Sequence, residues 1–195
     1  MTKQHNTQEQ TNFTATGDDL EGNLESTDAV GLTDVEVQIE KIAERQRQIT
    51  AKIQILQPAE QVWKVLTDYE ALADFIPNLD KSRLLEHPDG GIRLEQIGSQ
   101  RLLRFSFCAR VVLDLIESFP KEINFQMVEG DLKAFSGSWR LEPCPVDDKM
   151  GTNLCYSIFV WPKLTMPVSL IENRLSRDMQ VNLAAIRQRV EALAT

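Results

Sequence analysis

Histidine occurs only twice in the 195 residues, as His5 and His87, and cysteine only three times. Cys108, Cys144 and Cys155 are odd in number and irregular in spacing, so neither a disulfide framework nor a metal site is expected. No apolar run exceeds four residues, as at Ile158 to Trp161, against the roughly 20 that a membrane-spanning helix requires. Gly90-Gly91 is the one tight glycine pair and reads as a turn, which leaves no phosphate-cradling loop and no call for a nucleotide cofactor. The start of the chain lacks a charged-then-apolar leader, and Thr2 stands where myristoylation needs glycine; a cytoplasmic location is the expectation.

Basic charge is scarce in one place only. The net charge of −8 resides in residues 1–44, where ten acidic side chains face Lys3 and Lys41; the rest carries nineteen of each sign. A body so balanced exerts no overall pull on nucleic acid, and the acidic arm would repel phosphate and anionic lipid.

What is present is a period-two pattern for most of the chain. Residues 1–33 are Gln, Thr, Asn, Gly and acid without a sustained period, the composition of a disordered tail. From Asp34 to Glu40 alternation begins, so residues 34–47 read as an extra strand or a linker. Ile49, Ala51, Ile53 and Ile55 alternate again. Pro58 then opens a helix carrying Val62, Trp63, Val65, Leu66 and Tyr69, and a second short helix stops before Pro77. Strands return after Asn78, with a hairpin turn at Pro88-Asp89-Gly90-Gly91. From Leu103 through Phe105, Phe107, Ala109, Val111 and Leu113 to Leu115, one strand face is wholly apolar. Further alternations lie around Phe125, Trp139 and Tyr156, and short connections imply an antiparallel meander. After Pro167, apolar residues at three- and four-residue steps predict one amphipathic helix of about 26 residues.

This order resembles that of the α+β helix-grip fold (START or birch-pollen-allergen-like), which implies a curved antiparallel sheet wrapped around a long C-terminal helix. The stretch Pro58-Ala59-Glu60-Gln61-Val62-Trp63-Lys64-Val65-Leu66-Thr67-Asp68-Tyr69 with Phe75-Ile76-Pro77 resembles the opening of the START-like polyketide cyclase/dehydrase and coenzyme Q-binding superfamily (SRPBCC). Residues Met127 to Gly130, Phe135, Gly137 and Trp139 are similar to its middle strands, and the resemblance covers residues 48–194. It implies a deep apolar cavity between sheet and helix, holding a lipid, isoprenoid quinone or polyketide-like molecule, in a superfamily that also includes cyclase/dehydratase enzymes and ribosome-directed proteins.

On that basis the expected lining is Phe105, Phe107, Phe125, Met127, Trp139, Tyr156, Ile171, Leu175 and Met179, in a cavity of roughly 300 to 1,000 Å³. The entrance is expected between Phe75 and Pro77 on one side and Trp161, Leu164 and Met166 on the other, a lip also suited to transient contact with a membrane surface. Acid–base chemistry needs an enclosed titratable group, and the inward faces offer mainly Gln96, Tyr156 and Asn182. His87 reads as a solvated turn residue, Asp68 and Glu70 as a helix end, Cys108 as a surface thiol and Asp147-Asp148 as a loop. No catalytic residue is assigned, so a carrier is favoured over a cyclase/dehydratase. The partner of the acidic tail is unassigned.

Overall fold

The computed structural model describes residues 34–194 except 103–104 and 147–148, and the side chains of residues 99–107 are also outside what is described. The expected tail over residues 1–33, Leu103, Arg104 and the Asp147-Asp148 pair therefore lie outside the described residues.

Eight strands form one antiparallel sheet. They are β1 (Glu36–Ala43), β2 (Gln46–Ile55), β3 (Leu79–Leu85), β4 (Ile92–Leu102), β5 (Phe105–Ser118), β6 (Glu122–Gly130), β7 (Ala134–Val146) and β8 (Lys149–Trp161), ordered β1-β2-β8-β7-β6-β5-β4-β3. Helices α1 (Ala59–Thr67) and α2 (Leu72–Phe75) carry the chain from β2 to β3 at the far edge, and α3 (Val168–Leu193) closes it. The fold is the helix-grip one expected.

Within the segment from 34 to 47, β1 is a strand of this same sheet, and a tight turn leads from it into β2. β1 pairs with β2 along its length, from Glu36 opposite Lys52 to Ala43 opposite Gln46, and Val35 is buried in the core. Two arginines beyond it tie the start of α3: Arg45 Nη2 donates to the carbonyls of Lys163 (2.8 Å) and Met166 (2.7 Å), and Arg47 Nε donates to Glu172 at 2.6 Å. At the other end of α3, Arg187 reaches Asp34 at 3.1 Å.

The alternation of β2 is realised directly, with Ile49, Ala51, Ile53 and Ile55 all buried. Above them lies the C-terminal half of α3, whose Leu183, Ile186 and Val190 repeat at helical spacing and are equally enclosed. Each such side chain contributes about 1.5–3 kcal/mol by leaving water. α1 completes this layer through Val62, Trp63, Val65 and Leu66. The N-terminal half of α3 stands over the middle of the sheet instead, and there the packing opens.

Two local devices shape that middle. At β5–β6 the register slips, with Val112 opposite Glu129 and Leu113 opposite Met127, so that Val128 is an extra, half-exposed residue that bends the sheet. In β7, a Cβ on Gly137 would stand 2.1 Å from the Ser157 carbonyl oxygen and 2.7 Å from Phe125 Cζ. Only glycine lets the Phe125 ring lie across β7 at this point.

The outer face of the sheet is polar. There Glu95, 4% exposed, is held by Arg110 (2.7 Å), Arg83 (2.6 Å) and Lys81 (3.3 Å), whose hydrogen bonds, that of Arg110 foremost, draw its carboxyl down to about 2. His87 is a correction to the sequence reading. Its side chain is only 15% exposed, its Nδ1 accepts the Asp89 N–H at 3.0 Å, and its Nε2 stands 3.3 Å from Asp114. The turn folds back because Gly91 leaves room for the imidazole, which lies 3.2 Å from where a Cβ would be.

Candidate ligand cavity

Between the sheet and the first half of α3 lies a cavity of about 230 Å³, below the size the sequence suggested. Its floor comes from alternate residues of five strands. Leu94 and Gln96 of β4, Ala109, Val111, Leu113 and Leu115 of β5, Ile123 and Phe125 of β6, Phe135 and Trp139 of β7, and Tyr156 and Ile158 of β8 all face it. Period-two geometry accounts for this set, since every second side chain of a strand shares a face. The roof is a row along α3 comprising Ile171, Arg174, Leu175, Asp178, Met179, Asn182 and Ile186. The side wall is Leu66, Tyr69, Leu72 and the run Ile76 to Leu79.

Aromatic rings dominate one end. Trp139 and Tyr156 stack with centroids 3.7 Å apart and planes 3° from parallel. Phe125 lies 6.1 Å from Tyr156 and 5.5 Å from Phe135. Burial alone pushes the Tyr156 phenol above its ordinary range, so it remains a neutral hydroxyl. Tyr69 is likewise raised, by burial and by the bond from its hydroxyl to Glu117 Oε1 at 2.5 Å.

Of the nine lining residues expected, Phe125, Trp139, Tyr156, Ile171, Leu175 and Met179 come together here. Met127 packs against the core cluster without reaching the cavity, and the side chains of Phe105 and Phe107 lie outside the described ones. The polar trio Gln96, Tyr156 and Asn182 all border the space. Of the five entrance residues only Pro77 does. Phe75 turns toward a groove between α1 and α3, with the Arg189 guanidinium 5.7 Å from its ring. Trp161 carries Lys133 Nζ at 3.5 Å over its face, Met166 is half-buried, and Leu164 is 86% exposed.

The sequence missed two charged residues on the roof. Arg174 Nε donates to Asp178 Oδ2 at 3.3 Å, and their side chains are 13% and 17% exposed. Burial raises the Asp178 carboxyl above its ordinary value while Arg174 pulls it back. Their positions carry the signal, because 174 and 178 fall on the same three- and four-residue steps as Ile171, Leu175, Met179 and Asn182. Among the described residues, no group of three His, Cys, Asp or Glu side chains could hold a metal, and no helix is long and apolar enough to cross a membrane.

Residues 55–184 match the family model described as polyketide cyclase / dehydrase and lipid transport. The chain belongs to that family. Solved structures share its fold. The Zhui aromatase/cyclase of a Streptomyces species superposes with a TM-score of 0.63 at 19% identity, over 77% of this chain and 96% of that one. A START superfamily protein from Mycobacterium smegmatis gives 0.62 at 18% identity over 75% and 98%. A STAR-related lipid transfer protein from Xanthomonas axonopodis gives 0.57 at 18% over 80% and 98%. At such identities the likeness establishes the helix-grip fold alone, and the family unites enzymes with lipid carriers. No curated protein sequence matches this one.

Proposed function

We propose that this family member binds and carries a small hydrophobic molecule in the cavity beneath α3, as a cytosolic protein. The observation that carries the reading is an apolar cavity of about 230 Å³ under the roof helix. Apolar walls left against water are costly, and covering them is worth about 25 cal/mol per Å². An occupant that fills the space recovers much of this cost. Organic extraction of the untreated purified protein followed by mass spectrometry tests the reading; a recovered hydrophobic compound in near-stoichiometric amount is expected. A clean extract together with no affinity for hydrophobic probes would refute it.

A second reading, a cyclase/dehydratase, is favoured by one specific observation, the Arg174–Asp178 pair on the cavity roof. A half-enclosed carboxyl with a raised pKa beside a guanidinium can exchange a proton with an occupant and stabilise a developing oxyanion. Turnover of a polyketide-like substrate that is abolished by Asp178→Asn would move the assignment from carrier to enzyme.

A further inference from the structure

Resting on the carrier reading, we propose that Arg45 and Arg47 are size-selecting residues, which from outside the cavity hold α3 down on it and so disfavour an occupant larger than the space beneath. The family model matches residues 55–184, so the β1–β2 turn and the start of β2, which carry these two arginines, lie outside the matched part.

Arg45 straddles a turn. The Met166 N–H donates to the Lys163 carbonyl at 3.0 Å, closing the turn that leads into α3, and Arg45 Nη2 donates to the carbonyls at both of its ends, Lys163 at 2.8 Å and Met166 at 2.7 Å. Arg47 works from a fixed post. Its Nη1 donates to the carbonyls of Ala43 (3.1 Å), Glu44 (3.3 Å) and Gln46 (3.0 Å) around its own hairpin turn, while its Nε donates to Glu172 Oε2 at 2.6 Å in the second turn of α3. The Arg47 and Glu172 side chains are 13% and 26% exposed, so salt screens the pair little, and a bond between two charged groups is roughly twice as strong as a neutral one. Lys163 Nζ also meets the Gly130 carbonyl, at 3.3 Å and in the open. Glu172 follows Ile171 directly and Leu175 stands one turn on, so the hairpin sets the height of the residues that roof the cavity.

That height leaves about 230 Å³. Ligand pockets run to about 300–1,000 Å³, and a dry space of about 150 Å³ takes one benzene ring. A two-ring hydrocarbon therefore fits beneath α3 as it stands. A much longer molecule needs the start of α3 to rise, and rising breaks the bonds from Arg45 and Arg47. Apparent affinity falls by the fraction of molecules in the binding-competent state, so these bonds weaken a large ligand and leave a small one unaffected.

The test titrates two apolar fluorescent probes into the full-length protein, naphthalene with two rings and the longer diphenylhexatriene. Arg45→Met and Arg47→Met are each expected to bind diphenylhexatriene tighter than the wild-type protein by roughly threefold or more, and naphthalene within about twofold of it. A gain of affinity confined to the larger probe is not what damage to a structural contact produces. Glu172→Gln removes the same ion pair from the helix side at nearly constant volume and should act in the same direction, which decides the matter where an arginine variant fails to fold. Unchanged or weaker diphenylhexatriene binding in the folded variants overturns the size-selecting role and leaves the carrier reading standing. So does an equal gain for both probes, since selection by size is then absent. Folded wild-type and variant proteins that bind neither probe overturn both readings.

Discussion

Replacing Leu175 by tryptophan separates a ligand cavity from a packed core by the sign of its effect on stability. Leu175 is half-buried on the roof of the cavity, between Ile171 and Met179. In a close-packed interior the larger indole would force neighbours off their rotamers at a cost of about 1–3 kcal/mol. Over a void of about 230 Å³ the indole enters empty space instead and fills part of it. Each 50 Å³ filled returns about 1.2 kcal/mol on the measured scale for cavities. Leu175→Trp is therefore expected to be neutral or stabilising by about 1 kcal/mol, read as the midpoint of urea unfolding of ligand-free protein, and to weaken binding of a hydrophobic probe at least tenfold. A destabilisation beyond about 2 kcal/mol, or probe affinity left intact, would refute the reasoning about where the empty space lies.

Three further outcomes are expected. Glu95→Gln should flatten the acid limb of the melting curve: the wild-type carboxyl, held at about 2 against an ordinary 4.5, contributes stability in full above pH 4.5 and loses it as pH falls toward 2. Parallel melting-temperature profiles for the two proteins between those pH values would show that the Arg83, Arg110 and Lys81 cage does not act as described. Gly137→Ala should cost at least about 3 kcal/mol in urea unfolding, because the new methyl meets a backbone oxygen at 2.1 Å that no rotamer change can move; a loss under about 1 kcal/mol would mean that β7 and β8 can part cheaply. Removing residues 1–33 should leave the melting temperature within a few degrees, whereas removing 1–43 also takes the buried Val35 and all of β1 and should cost about 2 kcal/mol or more. Equal stability of the two truncated proteins would place β1 outside the cooperative unit.

The fold was legible because alternation is decided by geometry alone. In β2 and β5 every second residue is apolar, and a strand has only two faces, so Ile49 to Ile55 and Ala109 to Leu115 had one placement open to them. α3 was equally plain from its period. The site was legible where it repeats that logic, as for Phe125, Trp139, Tyr156, Leu175 and Met179, and also for the amides Gln96 and Asn182. It was not legible where a charged side chain occupies an inward step, as Arg174 and Asp178 do, since a charge is normally taken as the mark of a solvated face. Nor does alternation reveal a slip of register. The extra residue Val128 shifts the far end of β6 against β5, and Met127, on the expected face, packs beside the cavity instead of into it. His87 shows the same limit at a turn, because the space that Gly91 leaves for an imidazole depends on chain folding across four residues.

The uneven seating of α3 makes it a lever. Its backbone hydrogen bonds run within the helix, so nothing in the sheet's ladder fixes its distance from the floor; that distance is set by side chains. From Leu183 onward it is gripped by β2 and α1, which form a fulcrum, while the arm from Val168 to Leu183 overhangs the cavity for about 22 Å. A tilt of about 5° at the fulcrum moves the tip by about 2 Å at this arm length. Such a movement breaks no ladder hydrogen bond, and it works against the clasp that Arg45 and Arg47 make at the tip. The internal volume of this scaffold is thus an adjustable dimension, set at one end by the bulk of residues 171, 175 and 179 and at the other by how tightly the N-terminal hairpin holds the arm down.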